Sequence, residues 1–281
     1  MKKLLALALT LVMAVTVFTA CGSSDKKEET ASQAKKQIAT VVNPDSLKTL
    51  EKGKLNVGVE IGYPPFEQFA EDGKTEEGYD IDIITGVAKR LGLEVNFVNT
   101  AFDGIFKGID KNYDVVCSAI TITKERKKTM SFSDPYIDNY QAVVVNKDSK
   151  AKIGAFTDLE GLTIALQEGT TSMEMMDDLI GTKTLKKTKY IKSEKVTNCF
   201  EQLKNGEVDA VLVDSTVADG QVAKNKNFKI AWKDDSEPEQ FGIAMGKDNA
   251  SLRNAINLAL KDMKTKGEID DSYDYWFKQA K

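Results

Sequence analysis

Two stretches of this 281-residue chain carry the same order of patterns, and that duplication restricts the fold more than any other feature. Leu55-Asn56-Val57-Gly58-Val59-Glu60 alternates apolar with small or polar residues, the period of a strand, and stops at Gly62-Tyr63-Pro64-Pro65-Phe66. Leu162-Thr163-Ile164-Ala165-Leu166-Gln167 repeats the pattern and ends at Glu168-Gly169-Thr170-Thr171. Later in each half a helix-like stretch leads into a second apolar strand: Tyr113-Asp114-Val115-Val116-Cys117-Ser118, then Val208-Asp209-Ala210-Val211-Leu212-Val213. Strand, polar loop, helix and a further strand ending in polar residues is the order of an α/β unit with a parallel sheet, and two such units imply two lobes. Ile83, Ile84, Val87, Ala88 and Leu91 share one helical face, as do Leu252, Ala255, Ile256, Ala259, Leu260 and Met263; both stripes read as core. Ligands of open α/β sheets bind beyond the carboxyl ends of strands. Residues 60–63, 118–121, 167–171 and Asp214 should therefore converge on an interlobe cleft.

The chain outside the duplication is polar or processed. Lys2 and Lys3 precede an unbroken apolar and small-residue run over 4–20, which reads as an export signal. Phe18-Thr19-Ala20-Cys21 resembles the bacterial lipobox, which implies cleavage beside Cys21 and lipid on that residue; several acyl chains together would make the anchoring durable. Residues 21–45 lack apolar periodicity and read as a tether, with globular composition from about Ser46 onward. The formal charge of −4 comes from 39 basic and 43 acidic residues with interleaved signs, so no nucleic-acid footprint appears. The absence of histidine excludes His-based triads, proton shuttles and zinc sites, and no metal or cofactor is expected. Cys117 and Cys199 show no CxxC spacing and read as small buried hydrophobes in different lobes rather than a disulfide.

Gly78-Tyr79-Asp80-Ile81-Asp82-Ile83, followed by Val87-Ala88, is similar to the signature of the polar amino-acid-binding family (family 3) of bacterial ABC-transporter extracellular solute-binding lipoproteins. Three further blocks resemble that family in the same order: Tyr63-Pro64-Pro65-Phe66, then Ile120-Thr121-Ile122-Thr123 with Glu125-Arg126, then Phe132-Ser133-Asp134-Pro135-Tyr136. The signature itself reads as structural, with Asp80 capping a helix and Asp82 near its positive end. The resemblance implies a two-lobed periplasmic-binding-protein-like α/β fold (type II) joined by a two-strand hinge. Lobe 1 is then residues 46–138 plus 239–281, and lobe 2 is residues 139–238. The C-terminal segment with Tyr273, Trp276 and Phe277 should pack back on lobe 1.

An α-amino acid offers a carboxylate, an ammonium and a variable side chain. The resemblance places the carboxylate on Arg126, whose planar fork can bond it twice. The Thr121 backbone N–H should assist, with Thr170 and Thr171 at the start of a helix over 172–179; Thr171 and Glu174 also fit a capping box. The resemblance gives the ammonium to Asp214, shared with the Ala119 carbonyl and Thr121 hydroxyl; an N-cap is the other reading of Asp214. Tyr63 and Phe102 match the family's aromatic pair around the ligand side chain. Glu60, flanked by Gln167 and Ser118, matches the position that meets the distal end of that side chain and favours a basic or amide-bearing one. Asp209 reads as a structural carboxylate matching Asp114. The resulting expectation is an exported, lipid-anchored monomer that captures an amino acid and serves a permease and ATPase complex, without catalysis. A sensing lipoprotein and a dehydratase-like enzyme on the same fold are the alternatives.

Overall fold

The computed structural model describes residues 42–278. The expected signal over 1–20, the lipid-bearing Cys21 and the tether up to residue 41 lie outside the described residues. The first lobe opens with β1 (Lys54–Val59), the short pair β2 (Gln68–Phe69) and β3 (Glu76–Glu77), helix α1 (Tyr79–Leu91), β4 (Glu94–Asn99) and β5 (Val115–Val116). The one-turn helix α2 (Arg126–Thr129) and β6 (Met130–Phe132) follow, and β7 (Ile137–Asn139) crosses over. The second lobe runs through β8 (Gln141–Asn146), β9 (Thr163–Gln167), α3 (Thr171–Gly181), β10 (Lys189–Ser193), α4 (Val196–Asn205), β11 (Ala210–Asp214), α5 (Ser215–Lys224) and β12 (Phe228–Lys233). β13 (Glu239–Phe241) returns to the first lobe, completed by β14 (Ala244–Gly246), α6 (Ala250–Thr265), α7 (Glu268–Tyr273) and a π-turn at Asp274–Lys278.

Each lobe is built on a five-stranded sheet, ordered β4-β1-β5-β14-β6 in the first and β10-β9-β11-β8-β12 in the second. The sheets are mixed rather than parallel throughout. The duplicated unit supplies three parallel strands to each, and chain on either side of the crossovers adds two more at the same edge, each paired antiparallel to its neighbour, so that only the inner of the two, β14 or β8, opposes the other strands. The crossovers β7 and β13 pair antiparallel, with Glu239 opposite Asn139 and Phe241 opposite Ile137.

The duplication extends to hydrogen bonds. Asp114 donates its backbone N–H to Asn56 O at 2.9 Å and accepts the Asn56 N–H on its carboxylate at 2.8 Å. Asp209 does the same to Thr163, at 2.8 and 2.7 Å. Each aspartate thus clips the start of its central strand to the neighbouring strand, the structural role the sequence assigns them.

The two apolar stripes are buried as expected, α1 and α6 lying against the first sheet's core. Phe277 sits 5.3 Å from the rings of both Phe66 and Tyr79, so the C-terminal aromatics pack on the first lobe. Val42 and Leu47 also pack against this core. Cys117 and Cys199 are buried free thiols. Gly78 has φ 138°, and a Cβ there would meet Phe66 O at 2.1 Å, which explains glycine at the head of the signature block.

Two local expectations change. Asp80 does not cap α1: Gly78 occupies the N-cap position without a side-chain bond. The Asp80 carboxylate is instead fully buried, accepting the Ala119 N–H at 2.6 Å and the Tyr136 hydroxyl at 2.8 Å. A cap is needed only where first-turn N–H groups lack partners, and Pro65 O and Phe66 O already take the first two amides of α1. The strand read over 113–118 narrows to β5 because Ala119, at φ 49°, turns the backbone toward Asp80.

Candidate functional site

The carboxyl ends of β1, β5, β9 and β11 face one cleft. Tyr63, Phe102, Ala119, Thr121, Arg126, Thr170, Thr171 and Asp214 enclose a cavity of about 10 Å³, room for about one water. Glu60, Ser118 and Gln167 adjoin them through direct bonds: Gln167 Nε2 donates to Glu60 Oε2 at 2.8 Å, and the Glu60 N–H donates to Ser118 Oγ at 3.1 Å. All of the residues singled out from the sequence are thereby brought together. A ligand larger than water does not fit the cavity in this state, and contacts across the cleft, Gln167 with Glu60 and Tyr63 with Asp214, close it.

Arg126, at the first position of α2, is only 7 % exposed. Its guanidinium donates to Thr121 O at 3.1 Å and, across the cleft, to Gly169 O at 3.3 Å, and it lies 5.1 Å from the centre of the Phe106 ring. Both bonds end on carbonyls. A cation left among neutral acceptors retains much of its desolvation cost, which an incoming carboxylate would offset. Burial lowers its pKa, against the opposing pull of Glu174, Glu239 and Asp214.

Facing it, α3 begins at Thr170, whose hydroxyl accepts the Met173 N–H at 3.3 Å. The cap is Thr170 and not Thr171. Gly169 turns the chain at φ 78°, so that Thr170, one residue before the expected position, takes extended cap geometry. The Thr171 hydroxyl is thereby free of capping and points to Glu239 Oε2 at 3.1 Å.

Asp214 ends β11 and precedes α5 without making a side-chain cap. Its carboxylate accepts Asn139 Nδ2 at 2.6 Å, Gln141 Nε2 at 3.2 Å and, across the cleft, the hydroxyl of Tyr63. Burial first, then Glu239, pushes its pKa up to about 7, against the pull of Tyr63, Asn139 and Arg126. Four lone-pair sites with three donors leave room for one more.

The floor of the cleft is acidic. Burial pushes Glu60 up to about 7, opposed by Gln167 and Lys195 and reinforced by Glu194. Glu67, fully buried, takes the Ser118 hydroxyl at 2.6 Å and is pushed well up by burial and then by Asp80. Burial likewise drives Asp80 to about 7. Among the described residues, three buried side-chain oxygens lack any hydrogen-bond partner: Glu60 Oε1, Glu67 Oε2 and Gln167 Oε1. All are acceptors, and they belong to one chain of contacts through Ser118.

Sequence reasoning missed Glu67, Asn139, Gln141, Lys195 and Glu239. Asn139 and Gln141 are buried polar residues flanking the crossover, a placement no local pattern announces. Lys195 reaches Ile61 O at 3.1 Å from the other lobe. Glu239 lies in Ser236-Glu237-Pro238-Glu239-Gln240, which reads as a solvated connection.

Comparison with known proteins places this arrangement. ABC transporter arginine-binding protein 1 of Escherichia coli (strain K12) is 32 % identical over 231 residues, covering 80 % of this chain and 91 % of that protein. A solved ancestral arginine-binding protein bound to arginine superposes with a TM-score of 0.74 at 38 % identity, over 80 % of this chain and 98 % of that one. An ancestral amino acid-binding protein described as a precursor of cyclohexadienyl dehydratase gives 0.72 at 36 % identity, over 80 % and 96 %. The family model of bacterial extracellular solute-binding proteins, family 3, matches residues 55–279, and the chain belongs to that family.

Proposed function

We propose that this protein captures a basic L-amino acid, arginine foremost, between its lobes and presents it to the permease and ATPase of an ABC importer. The observation that carries the reading is the set of unpartnered acceptors at Glu60 Oε1 and Gln167 Oε1, one from each lobe. A guanidinium, with five donors and no acceptor, satisfies both together, whereas an apolar side chain leaves them unpaired at roughly 1–3 kcal/mol each. In this reading Arg126, the Thr121 N–H and the α3 terminus at Thr170 and Thr171 take the ligand carboxylate. Asp214, the Ala119 carbonyl and the Thr121 hydroxyl take its ammonium, Tyr63 and Phe102 flank its stem, and Ser118 orients Glu60. The arginine-binding relatives support the choice of side chain.

Further parts of the proposal concern the whole chain. Residues 46–138 with 239–281 form lobe 1 and residues 139–238 lobe 2, moving about β7 and β13. Residues 1–20 are removed on export and lipid on Cys21 holds a monomer at the extracellular face of the membrane. The ligand leaves unchanged. The likeness to a dehydratase precursor supports a second reading, an enzyme on the same fold. Calorimetry of the purified protein against the twenty amino acids, ornithine and cystine tests these readings. Heat from arginine or another basic amino acid is the expected result. Heat only from glutamine would move the selectivity to an amide, silence across the panel would overturn amino-acid capture, and turnover of the bound compound would favour the enzyme.

A further inference from the structure

Glu239 occupies a place in the cleft that the reading above leaves without a task. β13 holds it opposite Asn139, while an isolated bridge between Thr121 and Phe241, with Ile122 N donating to Gln240 O at 2.8 Å, draws the loop after β5 alongside the same strand. One carboxylate oxygen, Oε2, then accepts the hydroxyl of Thr121 at 3.0 Å from the first lobe and the hydroxyl of Thr171 at 3.1 Å from the second. The other oxygen, Oε1, accepts Gln141 Nε2 at 3.2 Å, and the same nitrogen donates to Asp214 Oδ1 at 3.2 Å.

A carboxylate only accepts, and a threonine hydroxyl has one proton and two lone pairs. Each threonine has spent its proton on Glu239 and can offer any further partner lone pairs alone. The Gln141 Nε2 group donates to the two carboxylates and also lies 3.4 Å from the Thr171 hydroxyl oxygen, where it takes a lone pair and leaves that hydroxyl's proton on Glu239. We propose that Glu239 is a positioning residue that sets the hydrogen-bond polarity of the cleft: it turns the Thr121 and Thr171 hydroxyls into acceptors beside Asp214. That end of the site then selects an ammonium, which has three donors and no acceptor, while the donor-only Arg126 defines the opposite preference a few residues away. The inference rests on the amino-acid reading and adds to it the group that orients two threonines, one per lobe, toward the α-ammonium.

Glu239→Gln tests this, because an amide places an N–H where the carboxylate accepted and lets a threonine proton turn into the cleft. Calorimetry would compare arginine with 5-guanidinopentanoate, the same molecule without its α-amino group. The expected result is about tenfold weaker binding of arginine and less than a twofold change for the des-amino compound. Equal weakening of both would mean that Glu239 merely braces the crossover, and unchanged arginine affinity would mean that it orients nothing; either overturns the inference. If Glu239→Gln does not fold, Thr171→Val removes one of the two hydroxyls but keeps the Thr171 N–H assigned to the ligand carboxylate, so it should weaken arginine binding more than binding of the des-amino ligand; equal weakening of both would overturn the inference. Wild-type protein that binds no amino acid would remove the underlying reading, an outcome distinct from wild-type binding with an unaffected variant.

Discussion

At the carboxyl ends of its strands the first lobe buries Glu60 and Glu67, with Asp80 just behind them on α1, whereas the second lobe buries there an amide, Gln167, and one carboxylate, Asp214, beside the amino end of α3. The frames beneath are alike, down to the matching clips of Asp114 on Asn56 and Asp209 on Thr163. The difference begins where the strands stop. A sheet interior constrains size and apolarity, while residues beyond the strand ends face the other lobe and answer to its chemistry. Closure pairs unlike groups: Gln167 with Glu60, Tyr63 with Asp214, Arg126 with Gly169 O.

The sharpest way to break this comparison is Arg126→Ala. If the first lobe receives the ligand carboxylate, removing its buried partner weakens binding by about 2–5 kcal/mol, roughly two decades or more, read by calorimetry. Unchanged affinity would transfer that task to the α3 terminus. Asp214→Asn probes the second lobe's contribution. The amide keeps the shape but loses the charge, and about a ten- to hundredfold loss is expected for arginine, with little change for the des-amino compound.

Proton linkage distinguishes the lobes further. Glu60 and Asp80 in the first lobe and Asp214 in the second are each pushed up to about 7 by burial. A basic ligand requires ionised Glu60, so affinity should fall as pH drops below about 7, approaching tenfold per unit, and Glu60→Gln should flatten the Glu60 part of that slope. For stability the sign is opposite. Between the ordinary carboxyl range near 4 and about 7, the folded state holds protons that the unfolded state has lost. Stability is therefore fully present near pH 4 and declines as pH rises through 7. Thermal melts at pH 5 and pH 8 measure this, and a higher melting temperature at pH 8 would refute the burial of these acids. The smallest expected effect belongs to Glu67→Gln. An amide keeps an acceptor for the Ser118 hydroxyl and is neutral at every pH, the form that burial and Asp80 already favour for Glu67, so a change of less than about 1 kcal/mol is expected in chemical or thermal unfolding.

Much of the architecture was legible in the chain. Alternating apolar runs announce β1 and β9, a continuous one announces β11, helical stripes announce α1 and α6, and strand ends announce where a cleft lies, because burial on both faces of a strand or one face of a helix demands apolar residues at those local spacings. Other features were not. Asp80 reads as a cap because a carboxylate in a first turn commonly serves as one, and only the folded chain brings the Ala119 N–H and Tyr136 hydroxyl that bury it instead. Glu67 and Glu239 sit in polar or turn-rich surroundings where a glutamate ordinarily meets water.

The sequence by itself determined the duplicated α/β frame and which strand ends would meet. Only the tertiary structure decided which donors face which acceptors there: the Glu60–Gln167 pair, the Tyr63–Asp214 pair and the two hydroxyls held by Glu239. Strand and helix periods are set by neighbours a few residues apart. Hydrogen-bond partnership in the cleft joins residues from both lobes and a crossover, so it exists only once the distant parts of the chain are assembled.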